Sequence, residues 1–88
     1  MQNVKIEIKG RVQWVGFRYH TKKTADQLDI KGYVKNLSDG SVYILASGKA
    51  SELDKFINWC HIGPRLSVVE SVKISIVLEN ETDDFHIR

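Results

Sequence analysis

Val4, Ile6 and Ile8 alternate with Lys5, Glu7 and Lys9, a period of two that predicts a strand with one buried face. The period then changes. Phe17, Thr21, Ala25 and Leu28 recur at helical spacing with polar residues between them, which predicts a helix over about Phe17–Ile30. Gly32 then stands where a helix C-terminal glycine would stand. Tyr33–Leu37 and Val42–Ala46 are strand-like runs on either side of Ser38-Asp39-Gly40-Ser41, whose Asp-Gly pair is a strong hairpin signal. Gly48 breaks the second of these strands. Ala50, Leu53, Phe56, Ile57 and Cys60 mark a second helix, begun near Lys49–Ser51 and ended by Gly63-Pro64. A third alternating run, Val68–Leu78, is interrupted at Glu70-Ser71. The stretch from Glu79 to Asp84 reads as an acidic turn, and Phe85–Arg88 as a short last strand.

The order strand, helix, strand, strand, helix, strand predicts an α+β, ferredoxin-like βαββαβ sandwich. Its antiparallel sheet would carry both helices on one face, with a short extra C-terminal strand. At 88 residues the chain suits one domain spanning 1–88. That fold hosts enzymes, RNA binders and regulatory modules, so the function has to come from a site.

Composition narrows the choice mainly by exclusion. Thirteen Lys and Arg against eleven Asp and Glu leave a net charge of +2, too weak to argue for nucleic acid or an anionic membrane as partner. Cys60 is the only cysteine, so an internal disulfide is impossible, and a lone thiol fits a reducing cytoplasm. The N-terminus has no apolar core of a signal peptide, and no apolar run is long enough to span a membrane. Without such a signal, the triplets Asn36-Leu37-Ser38 and Asn80-Glu81-Thr82 are read as coincidental glycosylation matches. His20, His61 and His86 lie apart, with no acidic group at metal-ligand spacing, so no metal and no cofactor is expected.

The chemistry concentrates in GRVQWVGFRYH, Gly10–His20, where a strand gives way to a helix. The first turn of a helix leaves four N–H groups without intrahelical partners, and the helix dipole favours an anion there. Arg18 stands at that helix start with a planar fork that matches phosphate or carboxylate. Together these features predict an oxyanion site. It is not a Walker loop, since no Gly-Lys-Ser/Thr follows, and the glycines lack dinucleotide-fingerprint spacing.

GRVQWVGFR resembles the first signature of the acylphosphatase family, roughly G-x-V-Q-G-V-x-F-R, and Gly32–Gly48, GYVKNLSDGSVYILASG, resembles the second. Gly63-Pro64 and the closing Phe85–Arg88 also look like later family segments, so the resemblance spans nearly the whole chain. It implies a ferredoxin-like enzyme that hydrolyses acyl phosphates to a carboxylate and phosphate without metal. By that resemblance Arg18 binds the substrate phosphate. The amides of Trp14, Val15, Gly16, Phe17 and Arg18 cradle its oxygens, and Asn36 positions the attacking water. The implied ligands are a small acyl phosphate and inorganic phosphate or a similar anion. No nucleic acid or membrane partner is implied, and nothing demands more than a monomer.

Trp14 departs from the pattern, which has glycine there. If the position needs a positive φ, tryptophan costs about 1–2 kcal/mol and deforms the cradle. If the backbone is ordinary, Trp14 is tolerated with its indole outward; the tolerant reading is preferred because the other signature positions stand. The rivals are a phosphate binder that turns over poorly because of Trp14, the front domain of a larger carbamoyl-transfer protein, and a non-enzymatic module. The last would use Tyr33 and Tyr43 as base stackers, but the RNA-recognition signature run is missing. His20 is expected to be solvated on its helix, Cys60 to pack in the core and Trp59 to lie partly buried beside it.

Overall fold

The structure is a computed structural model and describes residues 1–78, 80 and 82–88. Seven elements follow in the order β1 (Gln2–Arg11), α1 (Phe17–Gln27), β2 (Lys31–Asn36), β3 (Val42–Gly48), α2 (Ala50–Ile62), β4 (Val68–Ile76) and β5 (Phe85–Ile87). They build a five-stranded sheet in the order β4-β1-β3-β2-β5 with both helices packed on one face, the ferredoxin-like α+β arrangement. Val4, Ile6 and Ile8 of β1 face that side with Val34 of β2 and Val42, Ile44 and Ala46 of β3. The helices cover them with Phe17, Ala25, Leu53, Phe56 and Cys60, so the two predicted periodicities meet in one core. Among the described residues no helix is long and apolar enough to cross a membrane.

Three details differ from the sequence expectation. Helix α1 ends at Gln27 rather than near Ile30. Asp29 takes a left-handed conformation, φ 54°, and the N–H groups of Asp29 and Ile30 turn back onto the carbonyls of Asp26 and Ala25. That is a Schellman-type stop, with Ile30 and Ala25 both buried across it. Gly32, expected to close the helix, is instead a buried residue of β2. Its φ is 139°, and a Cβ there would lie 1.8 Å from the Leu45 carbonyl oxygen of β3.

The interruption at Glu70-Ser71 is a bulge and does not end the strand. Between Lys9 and Gly10 the β1–β4 register slips, so that Lys9 opposes Ser71 while Gly10 opposes Val69. The extra residue resets the alternation, which keeps both Val69 and Val72 against the core.

The third difference is the direction of β5. The first four strands pair antiparallel as expected, but β5 runs parallel to β2, so the sheet is mixed. After β4 the chain passes the end of the sheet where β1 begins, with Val77 N–H donating to the Asn3 carbonyl. Asn80 pins the crossing by donating from Nδ2 to the Lys31 carbonyl (3.2 Å) and the Ser47 hydroxyl (2.9 Å). The chain therefore reaches the far edge where β2 starts and can only run alongside it. The two glutamates of the expected acidic turn, Glu79 and Glu81, lie outside the described residues.

Candidate active site

Strands β1, β2 and β5 all end on the side of the sheet where α1 begins, and their ends surround one pocket of about 300 Å³. Val12, Trp14, Gly16, Phe17, Arg18, Tyr19, Asn36 and Ile87 line it. The two residues singled out for chemistry, Arg18 and Asn36, thus share a cavity although 18 positions separate them in sequence. Val15 does not line the pocket with its side chain, which packs toward the core; its backbone belongs to the loop.

The loop is built for close approach of an anion. Trp14 has φ 65° and Gly16 φ 77°, on either side of Val15. Left-handed positions alternating with ordinary ones turn successive N–H groups into one concavity. Gly16 is the N-terminal cap residue of α1 and supplies no side-chain cap. No acidic residue occupies the first helical turn. Among the described residues, the first N–H beyond the loop to find a carbonyl is that of His20, on Gly16 O (3.1 Å). The donors before it face the pocket end of the helix, where the dipole favours negative charge.

The positive φ at Trp14 corrects the expectation of an ordinary backbone there: the residue carries a conformation that suits glycine. The outward indole does follow expectation, since Trp14 is 90% exposed. The strain therefore sits in the backbone of a residue whose side chain is left to solvent.

Arg18 has no Asp or Glu partner among the described residues; its Nη1 donates to the Arg88 main-chain oxygen at 3.3 Å. Arg88 N–H in turn donates to the Val34 carbonyl, and its guanidinium lies 4.2 Å over the Tyr33 ring. The parallel course of β5 is what brings Ile87 and Arg88 to the site. Neither residue's place at the site is legible in the sequence, because nothing local signals the direction of a three-residue strand.

Asn36 is the last residue of β2, and its Oδ1 is buried with no hydrogen-bond partner among the described residues. A buried acceptor left empty costs about 1–3 kcal/mol, so its persistence marks a place for a donor from outside the chain. Gln13 holds the neighbourhood together. Its Nε2 donates to the carbonyls of Leu37 (2.8 Å) and Ser41 (2.9 Å), tying the anion loop to the β2–β3 turn directly beyond Asn36. That turn is closed independently: Asp39 Oδ1 accepts from the Ser41 N–H (2.9 Å) and hydroxyl, and these bonds hold the Asp39 carboxyl below the ordinary carboxylate range. Gln13 lay inside the quoted motif, but only the folded chain shows what its amide reaches.

The remaining candidates fall where the bland readings put them. His20 is exposed, edge-on to Tyr19. Cys60 is fully buried and burial pushes its thiol far up, which makes it inert packing. Trp59 packs against Phe17 and Phe56. Among the described residues no three of His, Cys, Asp or Glu gather where they could hold a metal ion.

A ferredoxin-like sheet with helix-start amides, a guanidinium without an Asp or Glu partner and a buried amide oxygen without a donor among the described residues, all around one opening, is equipped to hold a tetrahedral oxyanion and a water. Comparison with known proteins gives the family. The acylphosphatase family model matches residues 4–87, and the chain belongs to that family. It is 51% identical to the acylphosphatase of Archaeoglobus fulgidus over 71 residues, 81% of this chain and 80% of that one. It is 42% identical to that of Thermotoga maritima over 88 residues, the whole of this chain and 98% of that one. The crystal structure of acylphosphatase from Bacillus subtilis matches with a TM-score of 0.96 at 36% identity, covering 100% of this chain and 99% of that one. Membership carries the activity with it: the chain is a hydrolase of the acylphosphatase class.

Proposed function

We propose that residues 1–88 form a single acylphosphatase domain that hydrolyses the carboxyl–phosphate bond of acyl phosphates, with the phosphoryl group held by Arg18 and the amides from Trp14 to Arg18, and water placed by Asn36. The observation that carries this is the empty, buried Asn36 Oδ1 in the same pocket as Arg18. A phosphate seated on the helix start places its equatorial oxygens toward the N–H groups and the guanidinium. Water donates one hydrogen bond to Asn36 Oδ1 and attacks phosphorus in line with the carboxyl oxygen. The new O–P bond forms as the bond to the carboxyl oxygen breaks, and the carboxylate leaves with the bonding pair. Its conjugate acid has a pKa of roughly 4, so it departs without a general acid. The water's second proton passes to a phosphate oxygen. Asn36 is neutral and cannot serve as a strong base, so no limb of the pH–rate profile belongs to it. Catalysis then rests on positioning and on charge stabilisation at the equatorial oxygens.

The test is benzoyl phosphate hydrolysis by the wild-type chain and by Arg18→Ala, with and without EDTA. The wild-type chain is expected to turn over in the presence of chelator, and the variant to lose about a hundredfold to a thousandfold in kcat/KM at an unchanged melting temperature. Full activity in the variant would remove Arg18 from the mechanism, and loss of turnover in EDTA would require a metal.

A further inference from the structure

The face of the sheet turned away from the helices carries charge and aromatic rings that the reaction does not use. Because Ile6, Ile8, Val34 and Ile44 point to the core, the residues between them point outward. Lys5, Lys9, Lys35 and Lys73 stand there, and the carboxylates among the strand positions of that face are Glu7 and, at the β4 bulge, the exposed Glu70. None of these four lysines is in an ion pair among the described residues. Lys31, also on that face, is paired with Asp29 (3.2 Å) and drops out of the footprint.

At the centre Tyr33 of β2 and Tyr43 of β3 stack with centroids 6.0 Å apart and planes 26° apart. Lys35 Nζ sits over both rings at 5.9 and 5.4 Å, and the Arg88 guanidinium lies over Tyr33 at 4.2 Å. Five cations thus face two carboxylates on a sheet whose middle strands present stacked rings, whereas the whole chain carries only +2. The overall charge conceals this segregation, so a net +2 does not argue against a nucleic-acid partner.

We propose that this open face is a second binding site, independent of the phosphate pocket, for single-stranded nucleic acid. The lysines neutralise backbone phosphates, and bases stack on the tyrosines or on the outer plane of the Arg88 guanidinium. Charge complementarity selects a polyanion, and the flat pair of rings selects one with planar groups free to stack. An anionic membrane fits less well, because the aliphatic side chains of this face are the half-buried Leu45 and, at the end of the edge strand, Val68, which do not form a continuous apolar patch for insertion.

Fluorescence anisotropy of a labelled oligouridylate tests the proposal on the whole chain. At about 50 mM salt saturable binding is expected, with log Kd rising against log salt at a slope of about 2–3.5 for three to five neutralised phosphates. The double variant Lys5→Gln/Lys73→Gln is expected to lower that slope by about 1.4. Tyr43→Leu is expected to weaken binding about tenfold at an unchanged slope. Both variants should keep wild-type benzoyl phosphate turnover, which shows that they fold. Absence of binding, indifference to either variant, or equal affinity for duplex or for phosphatidylserine vesicles would each overturn the proposal. So would competition by millimolar phosphate beyond that of chloride at matched ionic strength, since the oligonucleotide would then occupy the Arg18 pocket.

Discussion

Replacing Trp14 isolates one backbone angle. Its φ of 65° lies in the left-handed region, while its indole is 90% exposed and contributes little burial. Comparing Trp14→Ala with Trp14→Gly removes the ring from both and leaves the Cβ as the difference. Holding a Cβ in the left-handed region costs about 1–2 kcal/mol. Glycine gives back part of the relief, because its unfolded chain is freer by about 0.4–1 kcal/mol. The net expectation is that Trp14→Gly exceeds Trp14→Ala in stability by about 0.8 kcal/mol. For a domain of this size that is a melting-temperature difference of roughly 3–6 °C. Circular-dichroism melts of both variants and the wild-type chain read it directly. If the left-handed angle is the one the cradle needs, benzoyl phosphate turnover by Trp14→Gly stays within about threefold of wild type. A Trp14→Gly protein that melts at or below Trp14→Ala would refute the strain assignment. A gain in turnover of tenfold or more, on the order of 1.4 kcal/mol in the barrier, would show instead that Trp14 distorts the cradle.

Three further outcomes follow from the same geometry. Asn36→Ala is expected to lower kcat far more than it weakens competitive inhibition by phosphate. It should also leave the melting temperature unchanged or a few degrees higher, since it deletes a buried acceptor that nothing satisfies; parallel losses in kcat, phosphate affinity and stability would make its role structural. Gln13→Ala removes two hydrogen bonds between the loop and the β2–β3 turn, a loss of about 2 kcal/mol. The expected melting-temperature drop is roughly 10 °C, with kcat reduced and phosphate affinity nearly kept; an unchanged melt would show that the turn stands without it. Asp39 has its carboxyl held low by Ser41, so its contribution is present above the ordinary carboxylate pKa of about 3.9 and fades as pH falls through the lower folded value. The gap in urea midpoint between wild type and Asp39→Ala is therefore expected to be full near neutral pH and to narrow steadily as pH falls below the ordinary carboxylate range; a gap that does not change with pH would assign the effect to the turn's shape instead of its charge.

Much of the fold could be read along the chain because it rests on local pattern. The alternation of Val4, Ile6 and Ile8 became β1, the Phe17, Thr21 and Ala25 spacing became the buried face of α1, and Asp39-Gly40 closed the hairpin. Side-chain direction repeats every two residues in a strand and every 3.6 in a helix, so burial leaves its print on neighbouring residues. Arg18 was legible for the same reason, standing at a helix start that the periodicity located. Asn36 could be marked only by resemblance; its empty buried oxygen is a property of the folded site.

What the chain's order could not carry was set by closure of the whole sheet. Whether β5 runs with or against β2 depends on the end of the sheet at which Asn80 anchors the crossing, by donating to Lys31 and Ser47, 49 and 33 positions away. The sign of φ at Trp14 depends on a loop held by a helix start on one side and by Gln13 bonds to a distant turn on the other. The basic face exists because strands far apart in sequence align their outward lysines, while the acids fall mostly elsewhere and cancel them only in the total. Periodicity reports what each residue does relative to its neighbours. Direction, strain and the grouping of charge arise only when distant segments compete for the same space, and those decided the shape of this site.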